Sequence, residues 1–337
     1  MEHLPRRPRV SCLGRLLSLL VATAAIIPGV SGARSADPAA FAAPPLAGSP
    51  SPGAAGIGDP YYPLLGNGGY DVVHYTLDLD LDVEAGSILE GIATIEALAT
   101  HSLSTFNLDY RGPAIAAIAV NEVPARWRRL GGELTITPAA PLEVGTAFTV
   151  AVRYAGIPDG GEDRLTRGWW ASGTAIATIG EPTGAEVWYP VNGHPLDKAT
   201  YTLSITVPES HDVVANGRLV STADVTLASD GPSTRTFVWE NRYPTASYLV
   251  TFHAADLEVA QRPGPLGITL LEAIPPDLSR RERRAFERVP QMLVLFARWF
   301  GPYPFAAFGG TVLEDTALDA ALETQELVTY DRSSLAE

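Results

Sequence analysis

Side chains that commonly hold a metal or act as nucleophiles are sparse in this chain. Six histidines (His3, His74, His101, His194, His211 and His253) and one cysteine, Cys12, are spread through 337 residues. No two histidines stand four apart, the spacing that would set both on one helix face around zinc with a Glu between them as base. His74 falls in a strand and His194 and His211 in turns, and no metal role is expected of them. Carboxylates are plentiful. Asp78, Asp80 and Asp82 alternate along a strand, and such positions do not converge on one cation as those of a loop can, so a solvated face is expected. Glu314, Asp315, Asp319, Glu323 and Glu326 crowd the C-terminal segment, and Glu181 sits in Gly180-Glu181-Pro182. On residue chemistry alone these read as solvated carboxylates. In a partly dry pocket, however, a carboxylate can hold an ammonium group by charge-assisted hydrogen bonds. Arg280, Arg281, Arg283, Arg284 and Arg288 line a helix, but the net charge is −14. Nucleic acid needs clustered positive charge, so that helix reads as a solvated or interdomain surface and no nucleic-acid partner is expected.

The elements that must position these groups are mostly strands. Val73, Tyr75, Leu77, Leu79, Leu81 and Val83 alternate with polar residues, a period of two that predicts a strand with one wet face. Further short runs, at 92–98, 134–137, 148–154, 201–207, 213–215, 235–239 and 248–253, are separated by turn words such as Asn216-Gly217 and Asp230-Gly231-Pro232. Many short strands without helical pattern predict an antiparallel β-sandwich over about residues 63–262. Arg262-Pro263-Gly264-Pro265 then breaks the pattern. Ser279 followed by Glu282 is a capping box. Val289, Leu293, Phe296 and Phe300 share a helical face with Met292 and Trp299 beside it, Pro290 restarts or kinks that helix, and Gly301-Pro302 ends it. Strands near 310–313 and 326–330 follow, so a mixed α+β unit is expected over residues 266–337, with the sequence stopping inside it.

The amino-terminal end reads as an export signal. Arg6, Arg7, Arg9 and Arg15 precede an apolar run from Leu16 to Val30, and Ser31-Gly32-Ala33 offers small residues for cleavage. The run is short of the ~20 residues that span a bilayer. Residues 1–33 are therefore expected to be removed, leaving a secreted or extracytoplasmic protein, of bacterial type, with no membrane span. Cys12 would leave with the signal, so no disulfide or cysteine ligand is expected. Residues 34–62, rich in Ala, Pro and Gly, read as a flexible linker.

Three words in this order resemble the aminopeptidase N group of zinc peptidases over about residues 70–337. The first is Glu186-Val-Trp-Tyr-Pro190-Val-Asn-Gly-His-Pro195-Leu-Asp-Lys198-Ala, similar to the family's aromatic-Pro-(Cys/Ser)-x-Asp-x-Pro-x-x-Lys-Ala. The second is Phe300-Gly301-Pro302-Tyr303-Pro304-Phe305. The third, Ala320-Ala321-Leu322-Glu323-Thr324, stands in the place of Gly-Ala-Met-Glu-Asn. Gly193, Val191, Leu322 and Thr324 depart from the family residues. The resemblance implies a saddle-like β-sandwich followed by the truncated start of a thermolysin-like catalytic domain. It assigns Glu323, with Glu181 from the other domain, to the free amino end of a peptide, and the backbone at Ala320 and Ala321 to aligning the substrate. It also implies zinc held by His-Glu-x-x-His in the full-length protein. This sequence ends 14 residues after Glu323 without that motif. The expectation is therefore an exported zinc aminopeptidase represented by a portion with no zinc ligands, no bound cofactor and no activity alone. The alternative is a secreted, non-catalytic β-sandwich binding module derived from a peptidase.

Overall fold

In the computed structural model, residues 49–161, 166–225, 233–313 and 321–335 are described. The expected signal, most of the linker, the Asp230-Gly231-Pro232 turn and Ala320 lie outside them. The alternating segment forms the strand Tyr70–Asp82 at the middle of an eight-stranded sheet. Across that sheet the order is Arg218–Val225, Thr234–Thr245, Ala199–Pro208, Tyr70–Asp82, Ser87–Ala99, Ala147–Gly156, Ala114–Val120 and Val123–Pro124. All pairs are antiparallel except that of Ala199–Pro208 with Tyr70–Asp82, which is parallel. The chain reaches that parallel pairing only after building other sheets in between, as a parallel neighbour requires a long crossover.

The alternation carries one phase error. Tyr75, Leu77, Leu79, Leu81 and Val83 are buried as their period predicts, but Val73 is 55% exposed and Val72 takes the inner face. The register shifts between Val72 and His74. Such a bulge moves every preceding side chain to the opposite face.

Two four-stranded sheets accompany the large one. The first runs Ser51–Pro52, Leu103–Asp109, Glu133–Thr137, Arg126–Leu130, and the second Gly168–Ala171, Ile176–Ile179, Phe252–Ala255, Asp212–Ala215. The 248–253 run is split between a 3-10 turn at Ser247–Leu249 and the strand beginning at Phe252. One apolar core takes side chains from all three sheets, among them Leu77, Ile95, Phe106, Val213 and Phe252. Tyr75 stacks on Tyr201 at 4.9 Å between ring centroids, and Trp188 meets both Tyr189 and Phe252. The aromatic residues of the first word are therefore core.

A five-stranded sheet follows, in the order Glu258–Pro263, Thr269–Ile274, Ala307–Leu313, Leu327–Asp331, Ala321–Glu323. Its three inner strands are parallel and both edges antiparallel. The Arg262-Pro263-Gly264-Pro265 stretch closes the hairpin of the first two strands. Two helices cross between Ile274 and Ala307. Helix α1, Arg280–Glu287, starts in the expected capping box, Ser279 Oγ accepting from Glu282 N at 3.3 Å and the Glu282 carboxylate from Ser279 N at 2.7 Å. Helix α2, Val289–Phe300, restarts with Pro290 in its first turn and ends at Gly301, whose φ is 92°. Only the start of its apolar face is covered. Leu293 is 6% exposed beside Ile268 and Leu270, whereas Trp299 is 66% and Phe300 81% exposed. Leu271, Ala273 and Leu327 of this sheet belong to the same apolar core as the sandwich, so the sheet rests on its neighbour's core. No described helix is long and apolar enough to cross a membrane.

Candidate functional site

The strand Ala321–Glu323 is the antiparallel edge of the five-stranded sheet, with Glu323 opposite Val328. Alternation sends Leu322 to one face, where it packs on Trp170, Ala177, Ile179 and Leu313. Ala321 lies on the other face, in the groove under α1 and α2, and Glu323 shares its sense and is exposed. Glu181 is likewise exposed, two residues past the strand Ile176–Ile179. Gly180 must lack a side chain, since a Cβ there would stand 2.5 Å from the Tyr248 carbonyl oxygen. The backbone segments that carry the two expected carboxylates thus meet on one apolar cluster, through Ile179 and Leu322. No contact joins the carboxylates themselves. Neither is hydrogen-bonded or ion-paired to another described residue, which leaves both able to accept from a cation.

Ala320 lies outside the described residues, and the Ala321 side chain faces away from the cluster, so any part it plays is through its backbone. A cavity of about 600 Å³ lies beside the cluster and shares Trp170, Ala177 and Leu313 with it, but neither Glu181 nor Glu323 lines it.

The first word holds the sandwich together. Asn192 Oδ1 accepts from Asn67 N at 2.6 Å, its Nδ2 donates to the Asn67 carbonyl and to Asp197, and Asp197 accepts from Val72 N. The family's Asp is absent at Gly193, but the space is filled. Asp109 Oδ2 accepts from Gly193 N at 2.8 Å and from Gly66 N at 2.9 Å. A Cβ on residue 193 would stand 2.9 Å from that oxygen. Burial pushes the Asp109 and Asp197 carboxyls up to about 7 each. The carboxylate of this turn therefore comes from a neighbouring strand, a substitution across the fold that the first word alone does not reveal.

Four of the five described histidines have hydrogen-bond partners. The His74 ring bonds Thr200 and Thr202, His194 bonds Asp59 at 3.3 Å, and His211 bonds Ser210. Buried His253 bonds Thr311 through Nδ1 at 3.2 Å, and burial drives its pKa down to about 3, so it stays neutral. No group of three His, Cys, Asp or Glu side chains that could hold a metal exists among the described residues.

The model of the Peptidase M1 N-terminal domain matches residues 72–249, more than half of the chain. The chain belongs to the M1 peptidase family. M1 relatives include human glutamyl aminopeptidase, 27% identical over 48% of this chain and 16% of that protein, and human endoplasmic reticulum aminopeptidase 1, 24% identical over 60% and 22%. Among solved M1 structures, a variant of an M1 zinc metallopeptidase from Deinococcus radiodurans, bound to a Tyr-Ser-Ala substrate, superposes with a TM-score of 0.73 at 28% identity. That alignment covers 82% of this chain and 64% of the other. The chain therefore spans about a fifth of the length of its curated M1 relatives and about two thirds of the solved M1 enzyme. Zinc belongs to full-length M1 zinc metallopeptidases, yet the described residues of this M1 chain offer it no donor set. The described residues do not fit the metal.

What reading the residues missed is buried. Asn216, half of the expected Asn-Gly turn, is 1% exposed and its side chain makes three hydrogen bonds. Asp109 carried no motif. Its signal was a charge inside the apolar run Phe106-Asn107-Leu108-Asp109-Tyr110, since a charge in such a run is either paired or buried by design.

Proposed function

We propose that this chain is the substrate-gripping portion of an exported aminopeptidase, with Glu323 and Glu181 holding the free ammonium of a peptide. One observation carries the reading: in an M1 chain, two carboxylates with no described partner leave a single apolar cluster, Glu323 on an edge strand of one sheet and Glu181 two residues past a strand of another. An ammonium has three donors, so carboxylates on adjacent segments can share it. A neutral or acylated end lacks that charge, and this is the physical basis of selecting a chain end. The backbone at Ala320 and Ala321 would align the peptide beside the edge strand, where an extended ligand can pair. Zinc and the groups that activate water would come from the rest of the protein.

Calorimetry with Tyr-Ser-Ala and its N-acetylated form tests this on the chain from residue 34 to 337. A charge-assisted hydrogen bond contributes about 1.5–3 kcal/mol, so Glu323→Gln should weaken the free-amine peptide about 10- to 150-fold and leave the acetylated one unchanged. Equal affinities for the two peptides in the unaltered chain would sink the assignment. The same chain should not hydrolyse aminoacyl-nitroanilides and should carry no stoichiometric zinc. A second reading is a secreted binding module without catalysis. Zinc content and hydrolysis by the natural full-length product separate the two.

A further inference from the structure

Asn216 follows the strand Asp212–Ala215 and precedes Gly217, whose φ is 90°. Its side chain makes three hydrogen bonds inside the protein. Oδ1 accepts from Thr251 N at 2.7 Å, while Nδ2 donates to the Gln325 carbonyl at 2.6 Å and to Thr324 Oγ1 at 3.1 Å. Thr251 N can only donate and the Gln325 carbonyl only accept, so the amide has one possible orientation. Both ends of this link continue. Thr251 Oγ1 donates to the Thr178 carbonyl at 2.6 Å, and Thr178 Oγ1 accepts from Phe252 N at 2.9 Å. On the other side, Thr324 Oγ1 donates to the Leu327 carbonyl.

A buried line of hydrogen bonds therefore runs from Thr178, three residues before Glu181, through Thr251 and Asn216 to Thr324, the residue after Glu323. Thr178 is 0% exposed, Thr251 and Asn216 1% each, and Thr324 9%. Where Leu322 presses the edge strand onto Ile179 without direction, this line is directional. It fixes the turn after Glu323 relative to the strand before Glu181. No other side chain of this length presents one acceptor and two donors in a plane. Asp would keep the Thr251 bond and set a carboxylate against the Gln325 carbonyl.

We propose that Asn216 is a positioning residue for the amino-end site, holding the Glu323 segment and the Glu181 segment at the separation an ammonium needs. The proposal rests on the ammonium reading above. It touches no substrate itself. It predicts that loosening Asn216 blurs the distinction between a free and a blocked amino end before it unfolds the protein.

Three variants of the whole chain test it: Asn216→Asp, Asn216→Ala and Thr324→Val. The readouts are the affinity ratio of Tyr-Ser-Ala to N-acetyl-Tyr-Ser-Ala, amide hydrogen exchange and the urea midpoint. Asn216→Asp loses both donors and should reduce the ratio at least about tenfold, with faster exchange confined to residues 321–328 and 176–182. Thr324→Val keeps the Gln325 bond and should fall between Asn216→Asp and the unaltered chain. A structural role alone would lower the urea midpoint and leave the ratio unmoved. If Glu323→Gln abolishes the ratio while Asn216→Asp and Thr324→Val preserve it, the proposal is overturned and the ammonium reading stands. If the unaltered chain shows no ratio, both fall. Should Asn216→Ala fail to fold, the other two variants decide.

Discussion

Replacing Asp109 by Asn should change how stability depends on pH more than it changes stability itself. The Asp109 carboxyl is 2% exposed and its Oδ2 accepts two backbone N–H groups, from Gly66 and Gly193. Burial, the largest influence, lifts its pKa from 3.8 to about 7, with Glu186 and Glu133 adding repulsion while the two N–H bonds oppose the rise. Between those values the folded chain keeps a proton that the unfolded chain has released. A group raised on folding contributes stability that is fully present below about pH 4 and is lost as pH climbs through about 7. The slope approaches about 1.4 kcal/mol per pH unit for one proton, so the three units from pH 4.5 to 7.5 carry about 3 kcal/mol after allowing for partial titration. Asn keeps an oxygen where Oδ2 stands and has no proton to lose. Urea unfolding followed by tryptophan fluorescence at pH 4.5, 5.5, 6.5 and 7.5 reads the difference between the two proteins. Asp197 and Glu133, lifted to about 7 and about 6, tilt both curves alike and cancel in that difference. The advantage of the variant over the unaltered chain should be about 3 kcal/mol greater at pH 7.5 than at pH 4.5. Parallel curves would refute a neutral, buried Asp109.

Gly193→Asp tests the same turn from the other side. Its Cβ would stand 2.9 Å from Asp109 Oδ2 and 3.0 Å from Leu65 Cδ1, and its carboxylate would face a second one. A loss of about 3 kcal/mol is expected by urea unfolding, and adding Asp109→Gly should recover part of it by moving the carboxylate to the other strand. Ser279→Ala removes one half of the capping box. It should cost about 1 kcal/mol, seen as faster amide exchange across Arg280–Glu287 with the eight-stranded sheet unchanged.

The parts of the fold that read well from residues alone were those with long, one-sided patterns. Tyr75 to Val83 gave its strand and inner face because that face is buried and the other wet. The phase slip at Val73 escaped because a bulge is a property of pairing and leaves the local sequence apolar. Gly168–Ala171 and Ile176–Ile179 escaped for a related reason: Trp169, Trp170 and all four residues of the second strand are buried, so no alternation marks them. The capping box and the Pro290 restart were legible because both act within one turn of chain. Glu323 is expected from the third word and Glu181 from its place nine residues before Pro190. The buried line of hydrogen bonds between their segments was not legible, since Thr178, Asn216, Thr251 and Thr324 are far apart in sequence and each is ordinary where it stands.

That contrast bears on the places where this chain departs from the family's words. Leu322 in place of Met needs only to be apolar, because what it meets is Trp170, Ala177, Ile179 and Leu313. Thr324 in place of Asn still offers one acceptor and one donor, and the structure uses both, towards Asn216 and towards Leu327. Gly193 in place of Asp leaves a hole the size of a carboxylate, and Asp109 fills it from the next strand. In each case a role, namely apolar contact, paired donor and acceptor, or buried carboxyl oxygen, is filled by a residue this chain supplies. The residue supplying the role is free to change within the word, or to move outside it. The exposed carboxylates have no such latitude. Glu181 and Glu323 have no described partner that could stand in for either, so on the proposed reading the chemistry of an amino-end site would rest on those two side chains while its geometry would be spread over buried neighbours.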